Sequence, residues 1–150
     1  MPATFCNLLY HIVFSTKDRR RLLPVELQPR MWAYLGGAIR DEGGVAIAIN
    51  GMEDHVHLLA KLRQDESLSN ILRQIKANSS KWMHETFPGT EDFRWQTGYG
   101  AFSVSPSQSQ QVQEYIEDQS KHHLKRTFHE EYVALLRVDE VEFDERYIYS

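Results

Sequence analysis

The sequence has little cysteine, since Cys6 is the single one among 150 residues. One cysteine cannot form a disulfide bond within the chain, and by itself it cannot supply a structural zinc cluster. Small secreted domains that depend on disulfide bonds are therefore excluded. The cysteine content is instead typical of a protein of the reducing cytoplasm, and this is the localisation that we expect.

Long apolar runs are also missing. No stretch approaches the ~20 consecutive apolar residues that a membrane-spanning helix needs. No basic patch followed by an apolar segment marks a secretory signal at the amino terminus. With 41% hydrophobic and 25% charged residues, the composition is that of an ordinary globular protein. We expect one domain, residues 1–150, that buries its own core and has no membrane contact.

The chain has no excess of positive charge, and its net charge of −4 argues at first against a nucleic-acid partner. However, five acidic side chains and one arginine lie between Asp139 and Ser150, so that residues 1–138 have no net charge. Clusters of basic residues matter more than totals for binding phosphates, although each cluster alone is also typical of a solvated surface. The clusters are Lys17 with Arg19, Arg20 and Arg21; Arg73 with Lys76 and Lys81; and Lys121 with Lys125 and Arg126.

Hydrophobic periodicity predicts the order β-α-β-β-α-β, which is the ferredoxin-like arrangement of the α+β class, with helices on one face of an antiparallel sheet. Pro24 suits the first turn of the first helix, and Ser67 is a suitable N-cap for the second. Asn50 and Gly51 predict a tight turn between the middle strands. The predicted strands are 4–15, 45–50, 55–62 and 101–104, and the predicted helices are 24–42 and 67–88.

The chain continues beyond this ferredoxin-like core. The segment 105–110 contains no apolar residue, and we expect it to be a flexible joint. A third helix is predicted over 108–124 and is added to the core at its carboxyl-terminal side. A short helix over 128–136, with Tyr132, Leu135 and Leu136 inward, then leads into an acidic, extended tail.

Two histidines, His55 and His57, begin the third predicted strand. Successive side chains of a strand point to opposite faces, so these two share a face and lie about 7 Å apart along the strand. Two imidazoles in this arrangement can bind one metal ion if a third ligand comes from elsewhere. A bare His-x-His pair is, however, more often a pair of exposed polar residues.

Tyr115 and Gln119 lie four residues apart in the third predicted helix, and they therefore share one helix face. A tyrosine there is usually a core residue, but a glutamine on the same face needs a polar partner. A tyrosine hydroxyl can attack phosphorus when a metal ion polarises the phosphoryl oxygen. The Gln119 carbonyl can complete the coordination that the two histidines begin, and Mg²⁺ or Mn²⁺ suits such a set.

The stretch from Met52 to Leu59 resembles the HUH motif (histidine, hydrophobic residue, histidine) of the single-tyrosine transposases of the insertion-sequence 200/605 type. Four further stretches resemble this family in order and spacing, and the segment 144–147 is similar to the family's ending. The resemblance covers essentially the whole chain. The four stretches are residues 10–17, 75–82, 95–104, and 115–119 with His122 and His123.

The resemblance implies a DNA transposase. Members of this family cut single-stranded DNA at insertion-sequence ends, where a helix-borne tyrosine becomes joined to the 5′ phosphate and a 3′ hydroxyl is set free. Matched position by position, Tyr115 is the expected nucleophile. The expected ligands of a divalent metal ion are His55, His57 and Gln119. Family members are homodimers that recognise DNA hairpins and assemble composite active sites, and Glu53 departs from many relatives, which carry proline.

The resemblance makes the basic clusters candidate DNA contacts. On the second predicted helix, Arg73, Lys76 and Ser80 fall on a face that we expect to point outward. Trp95 and Tyr99 are expected either to stack on unpaired bases or to fill the core. The candidates for contacts with DNA phosphates are Lys17, Arg19, Arg20, Arg21, Arg73, Lys76 and Lys81.

The other histidines are given simpler roles. His11, on the first strand, is expected to be a core residue and not a ligand. One of His122 and His123 is expected to contact phosphate or to lie at a solvated helix end. His84 and His129 are expected at the surface.

Three other functions stay open beside the transposase. A relaxase or replication initiator of the wider HUH class would normally need more domains than this length allows. A binding module that has lost catalysis would not need the intact Tyr115 and histidine pair. A small zinc hydrolase would need a third His, Asp or Glu ligand and a general base.

Overall fold

A four-stranded antiparallel sheet forms the centre of the protein. The computed structural model describes residues 3–123 and 125–150. The strands lie in the order β2-β3-β1-β4, and all three neighbouring pairs are antiparallel. This order confirms the predicted ferredoxin-like arrangement and the α+β class. The strands are β1 (Leu9–Ser15), β2 (Val45–Gly51), β3 (His55–Lys61) and β4 (Gly100–Val104).

Two long helices, α1 (Gln28–Asp41) and α2 (Leu68–Thr86), cover one face of the sheet. Both helices have an apolar stripe at helical spacing, and this stripe packs on alternate residues of the two central strands. Burial of this face forms the main hydrophobic core. Its fully buried members include Phe14 and Leu58 from the strands and Leu35 and Ile75 from the helices.

The opposite face of the sheet carries the histidines. Alternation places His11 and Val13 of β1 on this face, together with His55 and His57 of β3, and Val13 lies directly opposite His57 in the strand register. Three helices lie on this face; the first and the last of them pack through two smaller apolar clusters, and the middle one buries Gln119. They are α3 (Ser109–Glu117), α4 (Gln119–His122) and α5 (Phe128–Val138).

Two predicted boundaries near the amino terminus are wrong. The first strand begins at Leu9 and not at residue 4, since residues 3–7 are exposed and pair with no strand. The first helix begins at Gln28 and not at Pro24, because Pro24 belongs to a preceding turn in which its carbonyl accepts a hydrogen bond from the Leu27 N–H at 2.9 Å. Proline in the first helical turn is nevertheless present, as Pro29.

The third predicted helix is broken at Asp118. This residue has φ −94° and ψ 22°, and its N–H bonds to the Glu114 carbonyl at 3.0 Å, which ends α3. A second short helix, α4, starts at Gln119, so Tyr115 and Gln119 lie on two helices and not on one. The predicted end of this helix, Leu124, lies outside the described residues.

The segment 105–110 was predicted to be a flexible joint and the tail to be extended, but both contain short helical turns. The segment Pro106–Gln108 forms a 3-10 turn that leads directly into α3. The tail forms another short turn, Glu145–Tyr147, and folds back on the molecule. There the Ser150 carbonyl accepts a hydrogen bond from the Gly98 N–H at 2.8 Å. Within residues 3–123 and 125–150, no helix is long and apolar enough to cross a membrane.

Candidate active site

The histidine pair of β3 lies at the bottom of the candidate site. His55 and His57 are fully buried between the sheet and the carboxyl-terminal helices. Their ring centroids are 5.1 Å apart, and the Nε2 atoms of both rings face the same oxygen, Oε1 of Glu131, at 3.5 and 3.0 Å. The pair is therefore not exposed, and it presents two nitrogens to one point.

The outer nitrogen of each histidine also has a partner. His55 Nδ1 lies 2.7 Å from Oδ1 of Asp54, the residue before it. His57 Nδ1 lies 2.9 Å from Nε2 of His11, across the pair of central strands. His11 is buried, as the sequence predicts, but it contacts the site directly. Such outer partners fix the orientation of a histidine ring.

Gln119 is the first residue of α4 and forms one side of the site. Its side chain is fully buried, and its Oε1 lies 2.9 Å from His55 Nε2. Its amide nitrogen donates to Oε2 of Glu131 at 3.2 Å. The polar partners that a buried glutamine requires are thus the histidine and the carboxylate.

Glu131 of α5 is the residue that sequence reasoning missed. Its buried carboxylate accepts a hydrogen bond from the Tyr115 hydroxyl, lies 3.0 Å from His57 Nε2, and lies 3.3 Å from His123 Nε2. A signal was present, because Glu131 interrupts the apolar stripe that Phe128 and Tyr132 form at helical spacing. An acid on such a stripe is rarely buried without a partner.

The charges of the site are set by burial and by hydrogen bonds. Burial alone would raise the pKa of Glu131, but hydrogen bonds from His123 and His57 hold that pKa well below its ordinary value. Burial lowers the pKa of His57 to about 4, against the opposing effect of Glu131. The site therefore holds an ionised carboxylate beside a neutral imidazole at neutral pH.

Tyr115 lies near the end of α3, and its side chain extends into the site, where it contacts Glu131. Its hydroxyl accepts a hydrogen bond from Arg126 at 3.3 Å while it donates to Glu131. Its ring stacks on His122 with centroids 4.4 Å apart. Burial, together with the neighbouring Glu131 charge, raises the pKa of Tyr115 well above its ordinary value. The hydroxyl is therefore protonated at rest and has a proton acceptor in contact.

A groove of about 600 Å³ opens beside this site. His123 and Phe128 form its inner wall, and the loop after β1 contributes Arg19 and Arg21. Arg126, which donates to the Tyr115 hydroxyl, also lines the groove. The groove's other charged lining residues are Lys125, which is basic, and Glu53, Asp54 and Glu130, which are acidic.

The second cluster of candidate phosphate contacts lies on α2, across the sheet from the groove. Arg73 and Lys81 are exposed there. Lys76 does not point outward as predicted, since its Nζ donates to the backbone carbonyls of Gln96 at 2.9 Å and Thr97 at 3.0 Å, and also to that of Gly98. Burial lowers the pKa of Lys76 to about 8.

The aromatic loop before β4 also belongs mainly to the core. Trp95 is buried, donates its indole N–H to Ser79 Oγ at 2.8 Å, and packs on Phe14. Tyr99 is half-buried. His84 is exposed as predicted, whereas His129 is half-buried and lies 2.7 Å from the Tyr149 hydroxyl.

The donor set fits a divalent metal ion. One ligand atom from each of His55, His57 and Glu131 lies within 4.8 Å of the other two, and Gln119 Oε1 adds a neutral oxygen next to them. Two imidazole nitrogens, a carboxylate and an amide oxygen suit Mn²⁺ and other divalent first-row transition-metal ions, and they can bind Mg²⁺ when phosphate and water oxygens fill the remaining positions. Separations of about 3 Å between neighbouring ligands are what metal–ligand bonds of about 2.1 Å require.

Comparison with known proteins gives the same family as the motifs. The sequence matches the family described as "Transposase IS200 like" over residues 4–119, a range that includes the histidine pair, Tyr115 and Gln119 but not Glu131. The ISDra2 transposase TnpA of Deinococcus radiodurans is 26% identical over 118 residues, which are 75% of this chain and 84% of that protein. The transposase for insertion sequence element IS200 of Salmonella typhimurium is 27% identical over 119 residues, 75% of this chain and 77% of that protein.

Solved structures show the same fold. The crystal structure of a candidate transposase from Deinococcus radiodurans R1 has a TM-score of 0.63 and 26% identity, and the match covers 79% of this chain and 95% of that one. A REP-associated tyrosine transposase bound to a REP hairpin has a TM-score of 0.60 at 17% identity, over 82% of this chain and 73% of that one. Because the family match covers residues 4–119, which is most of its length, the chain belongs to the IS200-like transposase family.

Proposed function

We propose that the protein cuts and rejoins single-stranded DNA through a covalent bond between Tyr115 and a 5′ phosphate. The observation that carries this proposal is the convergence on one carboxylate, Glu131, of the Tyr115 hydroxyl and the buried histidine pair. A tyrosine kept only for packing would not need a hydroxyl beside a set of metal-ligating atoms.

We propose that His55, His57 and Gln119 hold the divalent metal ion, and that Glu131 is a fourth ligand. Magnesium and manganese are the ions that we expect. When bound, the ion neutralises charge on the scissile phosphate and thereby favours attack by an oxygen nucleophile.

The proposed step uses the chain's own groups as follows. The Tyr115 oxygen forms a bond to phosphorus, the bond from phosphorus to the 3′ oxygen of the preceding nucleotide breaks, and that oxygen takes a proton from solvent to leave as a 3′ hydroxyl. Oε2 of Glu131, already hydrogen-bonded to the hydroxyl, is placed to accept the phenolic proton. Arg126 donates a hydrogen bond to the Tyr115 oxygen and stabilises the negative charge that develops on it during the attack. Attack of a 3′ hydroxyl on the phosphotyrosine reverses the step and rejoins DNA.

The proposed substrate is single-stranded DNA that carries a hairpin at the end of an insertion sequence. The groove is lined by Arg19 and Arg21 and by Arg126, which contacts the Tyr115 hydroxyl, and these bases support binding of the strand that is cut. The exposed Arg73 and Lys81 lie on α2, which covers the opposite face of the sheet, and they support contacts with further phosphates. A homodimer acting in the cytoplasm is part of the proposal, on the basis of the family resemblance.

Replacement of the nucleophile tests the proposal. Tyr115→Phe removes one oxygen and keeps the ring that stacks on His122. Incubated with Mn²⁺ and single-stranded oligonucleotides from the DNA that flanks the gene, the wild-type protein should form an adduct that survives denaturing electrophoresis. Tyr115→Phe should form none, because no other oxygen occupies its position, and it should still bind the same oligonucleotides.

Tyr147 provides a matched control, since it is an exposed tyrosine outside the site. Tyr147→Phe should form the adduct at the wild-type rate. An adduct formed by Tyr115→Phe would contradict the assignment. Binding without any adduct in the wild-type protein would instead indicate a module that binds DNA and has lost catalysis.

A further inference from the structure

His122 is a ring partner of the candidate nucleophile to which the proposed function gives no role. Its imidazole lies nearly parallel to the phenol ring of Tyr115, with centroids 4.4 Å apart and planes that differ by 27°. Two other histidine rings meet Tyr115 almost at right angles, at 71° for His11 and 79° for His57. His122 therefore stacks on a face of the phenol, whereas the other two make edge contacts.

Hydrogen bonding does not explain the choice of histidine at position 122. Nε2 of His122 is buried, and no residue in the described part of the chain bonds to it. A buried polar atom without a partner costs free energy, whether it is a donor or an acceptor. The next residue differs, since Nε2 of His123 lies 3.2 Å from Gln119 Oε1 and 3.3 Å from Glu131 Oε1. What His122 contributes to the site is consequently its flat face.

His122 is also bonded to the residue that holds the phenolic oxygen. Its carbonyl accepts a hydrogen bond from the Arg126 N–H at 3.2 Å, and the Arg126 guanidinium donates to the Tyr115 hydroxyl at 3.3 Å. The His122 N–H donates to the Asp118 carbonyl at 3.2 Å, at the break between α3 and α4. The ring and the oxygen of Tyr115 are thus held by two residues whose backbones are bonded to each other.

The plane of a phenol ring decides the direction in which its oxygen can react. The oxygen lies on the axis about which the ring rotates, so rotation leaves the oxygen in place but turns the plane that contains its O–H bond. The torsion about this axis has a broad distribution in tyrosine, so neighbouring groups must fix it. Attack on phosphorus requires aligned orbitals as well as a short distance. A partner that fixes the ring plane therefore fixes the direction of attack.

We propose that His122 is a positioning residue that holds the phenol plane of Tyr115 in the orientation needed for attack on the phosphate. The role requires a flat ring at position 122, and a side chain that only fills the space does not meet it. The inference rests on the proposed function, since it concerns the step in which Tyr115 bonds to phosphorus. It involves neither metal ligation nor the binding of the strand.

Three substitutions of His122 test the role of the flat ring. His122→Phe keeps a flat ring and removes the unpartnered nitrogen, His122→Leu fills much of the space without a flat ring, and His122→Ala removes the contact. The assay uses Mn²⁺ and saturating single-stranded oligonucleotides from the DNA that flanks the gene. His122→Phe should form the adduct at close to the wild-type rate. The Leu and Ala variants should be about 10- to 100-fold slower, because the attack is misaligned.

Affinity and stability separate positioning from binding and folding. The affinities for Mn²⁺ and for the oligonucleotides should be unchanged in all three variants, because the proposed metal ligands and the basic residues of the groove stay in place. The urea midpoint should rise in His122→Phe and should not fall in His122→Leu, since both remove a buried polar atom without a partner. A stable but slow His122→Leu protein is the result that a merely structural role would not give.

NMR on the wild-type protein provides a measurement that needs no DNA, no metal ion and no variant of His122. With ¹³C-labelled tyrosine, the ring of Tyr115 should rotate more slowly than the ring of Tyr147, which is exposed. Tyr115→Phe identifies the signal of the nucleophile. Rotation of the Tyr115 ring as fast as that of Tyr147 would overturn the inference, because the plane would then not be held.

The outcomes distinguish this inference from the proposed function. A wild-type adduct rate in folded His122→Leu would overturn the inference and leave Tyr115 as the nucleophile. A slow rate in His122→Phe would also overturn it, because the role would then belong to the ring nitrogens and not to the flat face. No adduct in the wild-type protein would overturn the proposed function and the inference with it. If the Leu and Ala variants do not fold, the NMR measurement decides.

Discussion

Glu131 is the side chain that joins the candidate nucleophile to the candidate metal ligands. One of its oxygens faces both histidines of β3 and His123, and the other accepts from Tyr115 and from the amide of Gln119. A single buried charge thus orders groups from β3, α3, α4 and α5. Removal of that charge should affect metal binding and tyrosine chemistry together.

We therefore predict that Glu131→Gln lowers Mn²⁺ affinity by at least about 10-fold, because loss of a group that only orients a metal ligand already costs about 10- to 100-fold. The substitution keeps the size of the side chain but replaces a charged acceptor with a neutral amide. It should also slow adduct formation, because the Tyr115 proton loses its acceptor. Calorimetry with Mn²⁺ and the electrophoretic adduct assay measure the two effects.

Glu114→Gln is the matched control, since Glu114 is exposed and lies outside the site. It should change neither property. Full Mn²⁺ affinity in a folded Glu131→Gln protein would exclude Glu131 as a ligand, and a full rate of adduct formation would exclude it as the proton acceptor.

Buried neutral histidines make the stability of the metal-free protein depend on pH. Burial lowers the pKa of His57 from 6.5 to about 4, and burial followed by the His57 charge lowers that of His11 to about 3. As the pH falls below 6.5, the unfolded chain binds protons that the folded protein does not. Stability should therefore be fully present above pH 6.5 and fall as the pH approaches 4.

The expected loss is up to about 1.4 kcal/mol per pH unit for each of the two histidines. Urea unfolding across this pH window, in buffer with a chelator, measures it. His11→Phe removes one of the two groups and should show about half the slope. An equal slope in both proteins would mean that His11 is not held neutral by the fold.

At the scale of elements, α2 is held to the aromatic loop and to the tail by buried polar groups. Lys76 of α2 donates to three consecutive carbonyls of the loop 96–98. In the same loop, Gln96 accepts from the Ser15 N–H at 2.8 Å and donates to the Ile148 carbonyl at 3.1 Å. These contacts tie together a helix, the end of β1 and the carboxyl terminus.

We predict that Lys76→Met destabilises the protein by about 1–3 kcal/mol, because the loop carbonyls lose their donor inside the protein. The methionine keeps most of the apolar length of the side chain, so lost packing contributes little. Urea unfolding of the full chain provides the measurement.

Arg73→Met is the control on the same helix, because Arg73 is exposed, and its effect should stay within about 0.5 kcal/mol. The two variants also separate stability from DNA binding. Loss of phosphate binding without loss of stability in Lys76→Met would show that Lys76 is free to contact DNA and that its carbonyl contacts are dispensable.

At the scale of the whole molecule, one chain brings all parts of the candidate site together. Ile116 of α3 packs between Ala48 and Leu59 of the same chain, and this places Tyr115 beside its own His57, with ring centroids 6.0 Å apart. The composite site that the family resemblance implies stays a prediction. In such a site, α3 would pack in the same way against a second chain.

A mixture of two inactive variants distinguishes the arrangements. Tyr115→Phe lacks the nucleophile and His55→Ala lacks a metal ligand, so each alone should form no adduct. The composite site predicts that the mixture regains adduct formation after subunit exchange has been shown with a size-tagged copy, because one pairing of Tyr115 with His55 and His57 is then intact. A mixture that stays inactive despite exchange would show that each chain completes its own site.

The sequence by itself determined the parts of this protein that depend on local periodicity. Strand alternation is a property of neighbouring residues, so the pattern of the chain alone places His55 and His57 on one face. The order β-α-β-β-α-β follows in the same way from the periods of apolar residues. The motif around Tyr115 and Gln119 indicates the family, although the helix that was predicted to join them is broken at Asp118.

Only the tertiary structure decided which distant groups meet these residues. Glu131 is 74 residues from His57 along the chain, and Lys76 is 20 residues or more from the carbonyls that bury it. A charged side chain is normally exposed to solvent, and its burial becomes favourable only when the fold supplies partners for it. No local pattern encodes those partners, which is why the acid at the centre of the site and the buried lysine were found in the folded chain.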